Sequence, residues 1–107
     1  MYDNNFIIGK SSPEQNNFDV IIVAKRNIKN VVIPSFIKQI DYCAFYECSQ
    51  IQRLIINEDS QLNTICSYSF GFSSIKSVYI PKNVHFIDNY AFYLCSNLNI
   101  IEFANSE

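Results

Sequence analysis

The sequence predicts a repeat solenoid: a chain wound into stacked coils of short parallel β-strands and short helical turns, behind an N-terminal β-hairpin-like cap. Three observations predict it. Residues 28–50 superimpose without gaps on residues 75–97 with twelve of twenty-three positions identical, and self-similarity at such a period marks a repeat architecture. The mostly β-branched triplet Val31-Val32-Ile33 recurs as Leu54-Ile55-Ile56, Val78-Tyr79-Ile80 and Ile101-Glu102-Phe103, a composition suited to strands. Within each copy the apolar residues follow the order I-x-x-V-x-I-P-x-x-I-x-x-I-x-x-x-A-F-x-x-C, which neither one continuous helix nor one continuous strand can bury.

Taken in order, residues 1–27 fall outside the repeat. Phe6-Ile7-Ile8 and the run Phe18 to Ala24 read as two strands joined by the polar stretch Gly9 to Asn17, and a hairpin there covers the open end of the coil stack. The repeats follow as 28–50, 51–74, 75–97 and a partial 98–107. Identical across the first and third copies are Ile28/Ile75, Lys29/Lys76, Val31/Val78, Ile33/Ile80, Pro34/Pro81, Ile40/Ile87, Asp41/Asp88, Ala44/Ala91, Phe45/Phe92, Tyr46/Tyr93, Cys48/Cys95 and Ser49/Ser96. Pro34 and Pro81 end the strand by withdrawing a backbone donor. Ala44-Phe45-Tyr46-Glu47 and its counterparts have the composition of a helical turn. The middle copy is looser: Leu54, Ile56, Leu62, Ile65, Ser69, Phe70 and Ser73 keep the roles. Two residues are added there in Asn57-Glu58-Asp59-Ser60-Gln61, and one is lost in Gly71-Phe72-Ser73-Ser74. The fourth copy starts at Leu98 and is cut mid-repeat at Glu107. Each coil buries itself mainly against its neighbours, so about three are needed for stability.

Composition excludes some classes. With 49% apolar and 15% aromatic residues the chain is too hydrophobic for a disordered polymer. Its net charge of -2, from ten acidic and eight basic residues spread along the chain, creates no field to attract phosphate backbones, so nucleic acid is not an expected partner. The basic cluster Lys25, Arg26 and Lys29 reads as a solvated edge. No apolar run reaches the ~18 residues of a membrane span, and the first residues lack the pattern of a secretory signal. Gly occurs only twice against thirteen Asn, which assigns much of the turn-making to asparagine, a residue that tolerates left-handed backbone.

Residues of the types that carry chemistry read mostly as structure. Cys48 and Cys95 share one repeat position two coils apart, roughly 10 Å at the ~4.8 Å strand spacing and beyond the ~7 Å reach of a disulfide. With Ser73 between them they form a column of small, weakly polar side chains. Cys43 and Cys66 occupy different repeat positions and no Cys-x-x-Cys occurs, so no zinc site or other cofactor is expected. His85 aligns with Lys38 and should face solvent, where it completes no hydrolytic triad. Asp41 and Asp88 read as turn-makers that bond their own backbone. Phe45, Phe70 and Phe92 should stack as a column inside the coil.

The signature I-P-x-x-V-x-x-I-x-x-x-A-F-x-x-C-x-x-L, carried from Ile28 to about Phe103, resembles the leucine-rich repeats of BspA-like proteins. The resemblance implies a right-handed leucine-rich-repeat solenoid. It also implies kinship with surface antigens associated with adhesion and protein binding, a protein or cell-surface macromolecule as partner, and no catalytic residue. Cell-surface location follows from the resemblance alone; free thiols and the missing signal sequence fit a cytoplasmic protein equally well. With Val31, Leu54, Val78 and Ile101 turned inward, alternation along a strand turns their neighbours out. Val32, Ile55, Tyr79 and Glu102 form one outward row; Asn30, Arg53, Ser77 and Ile100 form the other. Val32, Arg53, Ile55, Ser77, Tyr79 and Glu102 are therefore the candidate protein-binding residues. The alternative expectation is a structural fragment of a longer array that self-associates through the unpaired strand Ile100 to Phe103.

Overall fold

The computed structural model describes residues 2–104, so the last three residues of the partial repeat 98–107 lie outside the described residues. Among the described residues are nine β-strands. They are β1 (Phe6–Gly9), β2 (Val20–Ala24), β3 (Asn30–Ile33), β4 (Gln39–Ile40), β5 (Arg53–Ile56), β6 (Thr64–Ile65), β7 (Ser77–Ile80), β8 (Phe86–Ile87) and β9 (Ile100–Phe103). The coil has three sides. On the first, β2, β4, β6 and β8 are parallel rungs, with β1 antiparallel at the end in the order β1-β2-β4-β6-β8. On the second, β3 pairs with β5 and β7 with β9, both parallel. Turns build the third. The β2 strand thus belongs both to the N-terminal hairpin and to the parallel rungs.

The third side corrects one expectation, because the Ala-Phe-Tyr segments form no helical turn; among the described residues there is no helix, and hence none long and apolar enough to cross a membrane. Successive amides here have different destinations. The amides of Ala44, Tyr46 and Cys48 bond back within the coil to the carbonyls of Asp41, Cys43 and Phe45. Those of Cys43, Phe45 and Glu47 bond forward to Ser67, Ser69 and Gly71 in the next coil. The pattern repeats as Tyr68, Phe70 and Phe72 donate to Tyr90, Ala91 and Tyr93. An α-helix needs each of these amides for its own i→i−4 bonds, so stacking the coils and winding a helix are mutually exclusive. The geometry puts two residues per coil at positive φ: Cys43, Tyr68 and Tyr90 at one step, Glu47, Phe72 and Leu94 at the other. Asparagine does not fill these left-handed positions; among the described residues Asn4 is the one Asn at positive φ. Elsewhere asparagine acts through its amide, as when Asn83 Nδ2 donates to the Ser60 carbonyl at 3.2 Å.

Side chains from all three sides meet in one core: Ile21, Ile40 and Ile65 from the first, Val31, Ile33, Val78 and Ile80 from the second, Ala44, Phe45, Phe70 and Ala91 from the turns. The expected phenylalanine column is present. Phe45 and Phe70 stack at 4.9 Å between centroids with planes 3° apart, and Phe70 and Phe92 at 5.6 Å and 10°. Phe6 of β1 meets Phe45 edge-on at 6.1 Å, and Tyr2 stacks on Phe6. The cysteine column is also formed, with free thiols. Cys48 Sγ donates to the Lys25 carbonyl, Cys95 Sγ to the Phe70 carbonyl, and Ser73 Oγ lies 3.6 Å from Cys95 Sγ.

The irregular middle copy leaves a mark on the second side. Seven residues separate β5 from β6, against five between β3 and β4 and between β7 and β8. Eleven separate β6 from β7, against twelve in the flanking coils. The strand ladder, expected to run through four coils, divides at this copy into the pairs β3-β5 and β7-β9.

Two neighbouring substitutions should act in opposite directions. Phe70→Ala removes the middle ring of the column and should cost about 3–5 kcal/mol, a large share of the ~5–15 kcal/mol available to a domain. Ser69 shares its column with Ala44 and Ala91, and its buried hydroxyl has no hydrogen-bond partner among the described residues. Ser69→Ala should therefore add about 1 kcal/mol by removing an unsatisfied group. Thermal melts followed by circular dichroism measure both; a Phe70→Ala melt equal to the parent's would contradict the stacked register.

Candidate functional site

The outward rows of the second side form in two halves. Val32 lies beside Ile55 and Asn30 beside Arg53 across the first strand pair. Tyr79 lies beside Glu102 and Ser77 beside Ile100 across the second. Val32, Arg53, Ser77 and Glu102 are exposed, Ile55 and Tyr79 half-buried. Between the halves, where β5 and β7 are not laddered, opens a cleft of about 240 Å³ whose walls include Arg53, Ile55, Ser77 and Lys76. Leu54, expected inward, is half-buried at this gap. A wider groove of about 580 Å³ begins at Tyr79 and is walled by Lys82, Asn83 and Ala104 and by Glu58 and Asp59 of the lengthened loop. The side chains singled out in the sequence thus come together as two pairs of short rows flanking a cleft. The insertion and deletion of the middle copy were legible in the sequence, but the cleft they open and the groove beside the acidic loop were not, because both depend on how coils of unequal length stack.

The turn side carries a second cluster that pattern reading missed. Outside the buried phenylalanine column, Tyr42, Tyr46, Tyr68, Phe72, Tyr90 and Tyr93 form a connected network with neighbouring centroids 5.4–6.4 Å apart. These edge-to-face and stacked pairs are the arrangements favoured by the quadrupoles of aromatic rings. Tyr46 packs so closely over Gly71 that a Cβ there would lie 2.9 Å from its Cδ1, which only glycine permits. The signal was present in the matched pair Tyr46/Tyr93, but a helical turn would have pointed those rings differently.

Two thiols near this side, Cys48 and Cys66, are held in the less nucleophilic protonated form. Burial pushes the Cys48 thiol up, against the lowering influence of Arg26. Burial and the carboxylates of Asp41 and Asp88 push Cys66 up. Each shift favours the protonated, unreactive form. Asp41 accepts from the Tyr42 amide at 2.9 Å, a local turn bond as expected, and His85 is exposed.

Stacked coils with parallel strands on two sides, stacked turns on the third and an apolar column at the centre define a leucine-rich-repeat solenoid. Residues 22–107 match the family described as BspA type leucine rich repeat region (6 copies). The chain belongs to that family. The match begins inside β2, in line with that strand's place among the parallel rungs. A crystal structure of a leucine-rich repeat protein from Bacteroides ovatus ATCC 8483 is similar over 78% of this chain, with a TM-score of 0.51 and 21% identity. The chain spans 28% of that protein's length, and the likeness is one of fold. No curated protein matches.

One buried carboxylate anchors the N-terminal end. Asp19 accepts from the Ser11 amide and hydroxyl, both at 2.7 Å, and from Gln15 Nε2 at 2.9 Å, while its carbonyl accepts from the amides of Lys38 and Gln39 in the next coil. Burial alone would push its carboxyl up, but the Ser11 bonds, the Lys38 charge and Gln15 outweigh it and hold it below the ordinary carboxylate range. A depressed folded pKa means that stability is present above the unfolded value and lost as pH falls through the folded one. Stability should therefore fall below about pH 4. Asp19→Asn should be less stable at neutral pH and lose less on acidification. Urea melts between pH 2 and 7 measure this, and parallel pH profiles for the two proteins would rule the mechanism out.

Proposed function

We propose that the chain is a non-catalytic binding module whose outward strand face holds a protein or cell-surface macromolecule, as in adhesion. The observation that carries this reading is the cleft between the two strand pairs. Arg53, Ile55 and Ser77 are on its walls, Val32 extends the apolar side, and Tyr79 beside Glu102 begins the neighbouring groove. An arginine and a tyrosine beside exposed apolar groups are the residue types that dominate interface energetics, and strands hold their backbone in place before binding, which leaves only side-chain ordering as a cost. Family membership supports the same reading, since stacked repeats build extended binding surfaces. Residues 1–27 act as the cap that closes the other end. Arg53→Ala and Tyr79→Ala should each weaken capture of a surface ligand by about tenfold or more while leaving the melting temperature unchanged. Ligand binding is measured by surface plasmon resonance on immobilised candidate matrix and cell-surface proteins, and full binding by both variants would remove this face from consideration.

A second reading, self-association, is favoured by the C-terminal end of the stack. Ile40 and Ile65 are fully buried, yet Ile87 at the same position is 41% exposed; Ile33 is fully buried, yet Phe103 is 66% exposed. Strands β8 and β9 are the outermost strands of their sheets, and an apolar strand edge is adhesive. Sedimentation velocity over a range of concentrations should detect assembly that Ile100→Lys abolishes; a parent that stays monomeric at high concentration argues against this reading.

A further inference from the structure

We propose that the aromatic turn side is a second binding surface, which takes an extended, arginine- or lysine-bearing segment of a partner protein. Six rings form one continuous patch there, and its flanking members are open to solvent, with Tyr42 62% and Tyr90 59% exposed. Such rings contribute little to the core, which the separate Phe45–Phe70–Phe92 column already fills. Their mutual packing holds them in place before any ligand arrives, so little side-chain freedom is left to lose.

Charge selects the ligand. The three turn segments 41–50, 66–74 and 88–97 contain Asp41, Glu47 and Asp88 and no Lys, Arg or His, although the chain has eight basic residues. Asp41 and Asp88 lie close enough to act on Cys66 between them, and Glu47 on Tyr46. Carboxylates beside open tyrosine faces attract a cation twice, by ion pairing and through the ring quadrupole. The turn carbonyls also accept from a guanidinium. At the N-terminal step of this side, the Arg26 guanidinium donates to the carbonyls of Ala44 at 3.0 Å and Cys43 at 3.3 Å. The later steps have no such arginine. Coils repeat about every 4.8 Å, and an extended chain presents same-face side chains about every 6.6–6.8 Å, so two successive cationic residues fit across three coils. A neutral glycan would bond the carboxylates through its hydroxyls but gain no ion pairing from them, and the same face of a second copy would be repelled by them.

The test is isothermal titration calorimetry at low salt with acetyl-Gly-Arg-Gly-Arg-Gly-Arg-Gly-amide and its glutamate counterpart. Saturable binding of the arginine peptide is expected, at least about tenfold tighter than the glutamate peptide and weakened by 0.5 M NaCl. The variant Tyr42→Ser/Tyr90→Ser and the variant Asp41→Asn/Glu47→Gln/Asp88→Asn should each weaken it about tenfold. The carboxylate variant keeps every ring, and so decides the matter if the tyrosine variant melts early. Arg53→Ala and Tyr79→Ala should leave it unchanged, which separates this surface from the strand face. Equal binding of the two peptides, or undiminished binding by both variants, overturns the proposal. So does binding of chitohexaose that needs the tyrosines but not the carboxylates, or self-association in sedimentation that the tyrosine variant abolishes.

Discussion

The structure depends on how the turn amides are shared. Within each coil they alternate, one bonding back to close a turn and the next bonding forward to the following coil. Buried backbone donors must find partners, and this alternation satisfies two demands with one set of groups. It closes the corner of each coil and ties that coil to its neighbour. Two residues per coil are driven to positive φ as a result, a conformation that costs an L-residue roughly 1–2 kcal/mol. The stack compensates with ring packing. The phenylalanine at the centre of each turn points inward onto the next, while Tyr42, Tyr46, Tyr68, Phe72, Tyr90 and Tyr93, at or just before the left-handed positions, pack together outside that column.

The strand side is less constrained, and the middle copy exploits this. An added loop and a shortened turn are absorbed by breaking one ladder, while the rungs β4, β6 and β8 and the turn hydrogen bonds continue through the same copy. Irregularity in a solenoid is thus localised to one side. What a perfect repeat would have made a uniform ladder becomes two strand pairs and a cleft, with Glu58 and Asp59 brought to a neighbouring groove by the insertion. The feature that distinguishes this face from its own ideal repeat is also the one that gives it concavity.

The two ends differ for a related reason. At the N-terminal end β1 runs antiparallel, Phe6 closes the ring column, and the Asp19 carboxylate ties the hairpin loop to the body. At the C-terminal end Ile87, Ile101 and Phe103, which repeat inward positions, remain open. The ring column is therefore covered by Phe6 at one end of the stack, while the last coil among the described residues leaves its apolar side chains open.

The sequence by itself determined the repeat and its phase. Positions such as Phe45, Phe70 and Phe92, or Val31 and Val78, recur because every coil must bury the same columns, and burial leaves a periodic trace that one chain can reveal. The small residues Cys48, Ser73 and Cys95 were legible for the same reason, as were the outward rows containing Val32, Arg53 and Tyr79, since strand alternation fixes which face a side chain takes. The form of the corners was decided only in the tertiary structure. Ala-Phe-Tyr-Glu has local preferences compatible with a helix, and the amides of the next coil, distant in sequence, override them. The short rungs β4, β6 and β8, two residues each, are too brief to carry an alternation signal. The cleft at Arg53, Ile55 and Ser77 and the aromatic network around Tyr68 also escaped, because each is made where separate coils meet, and such contacts depend on how coils of unequal length stack.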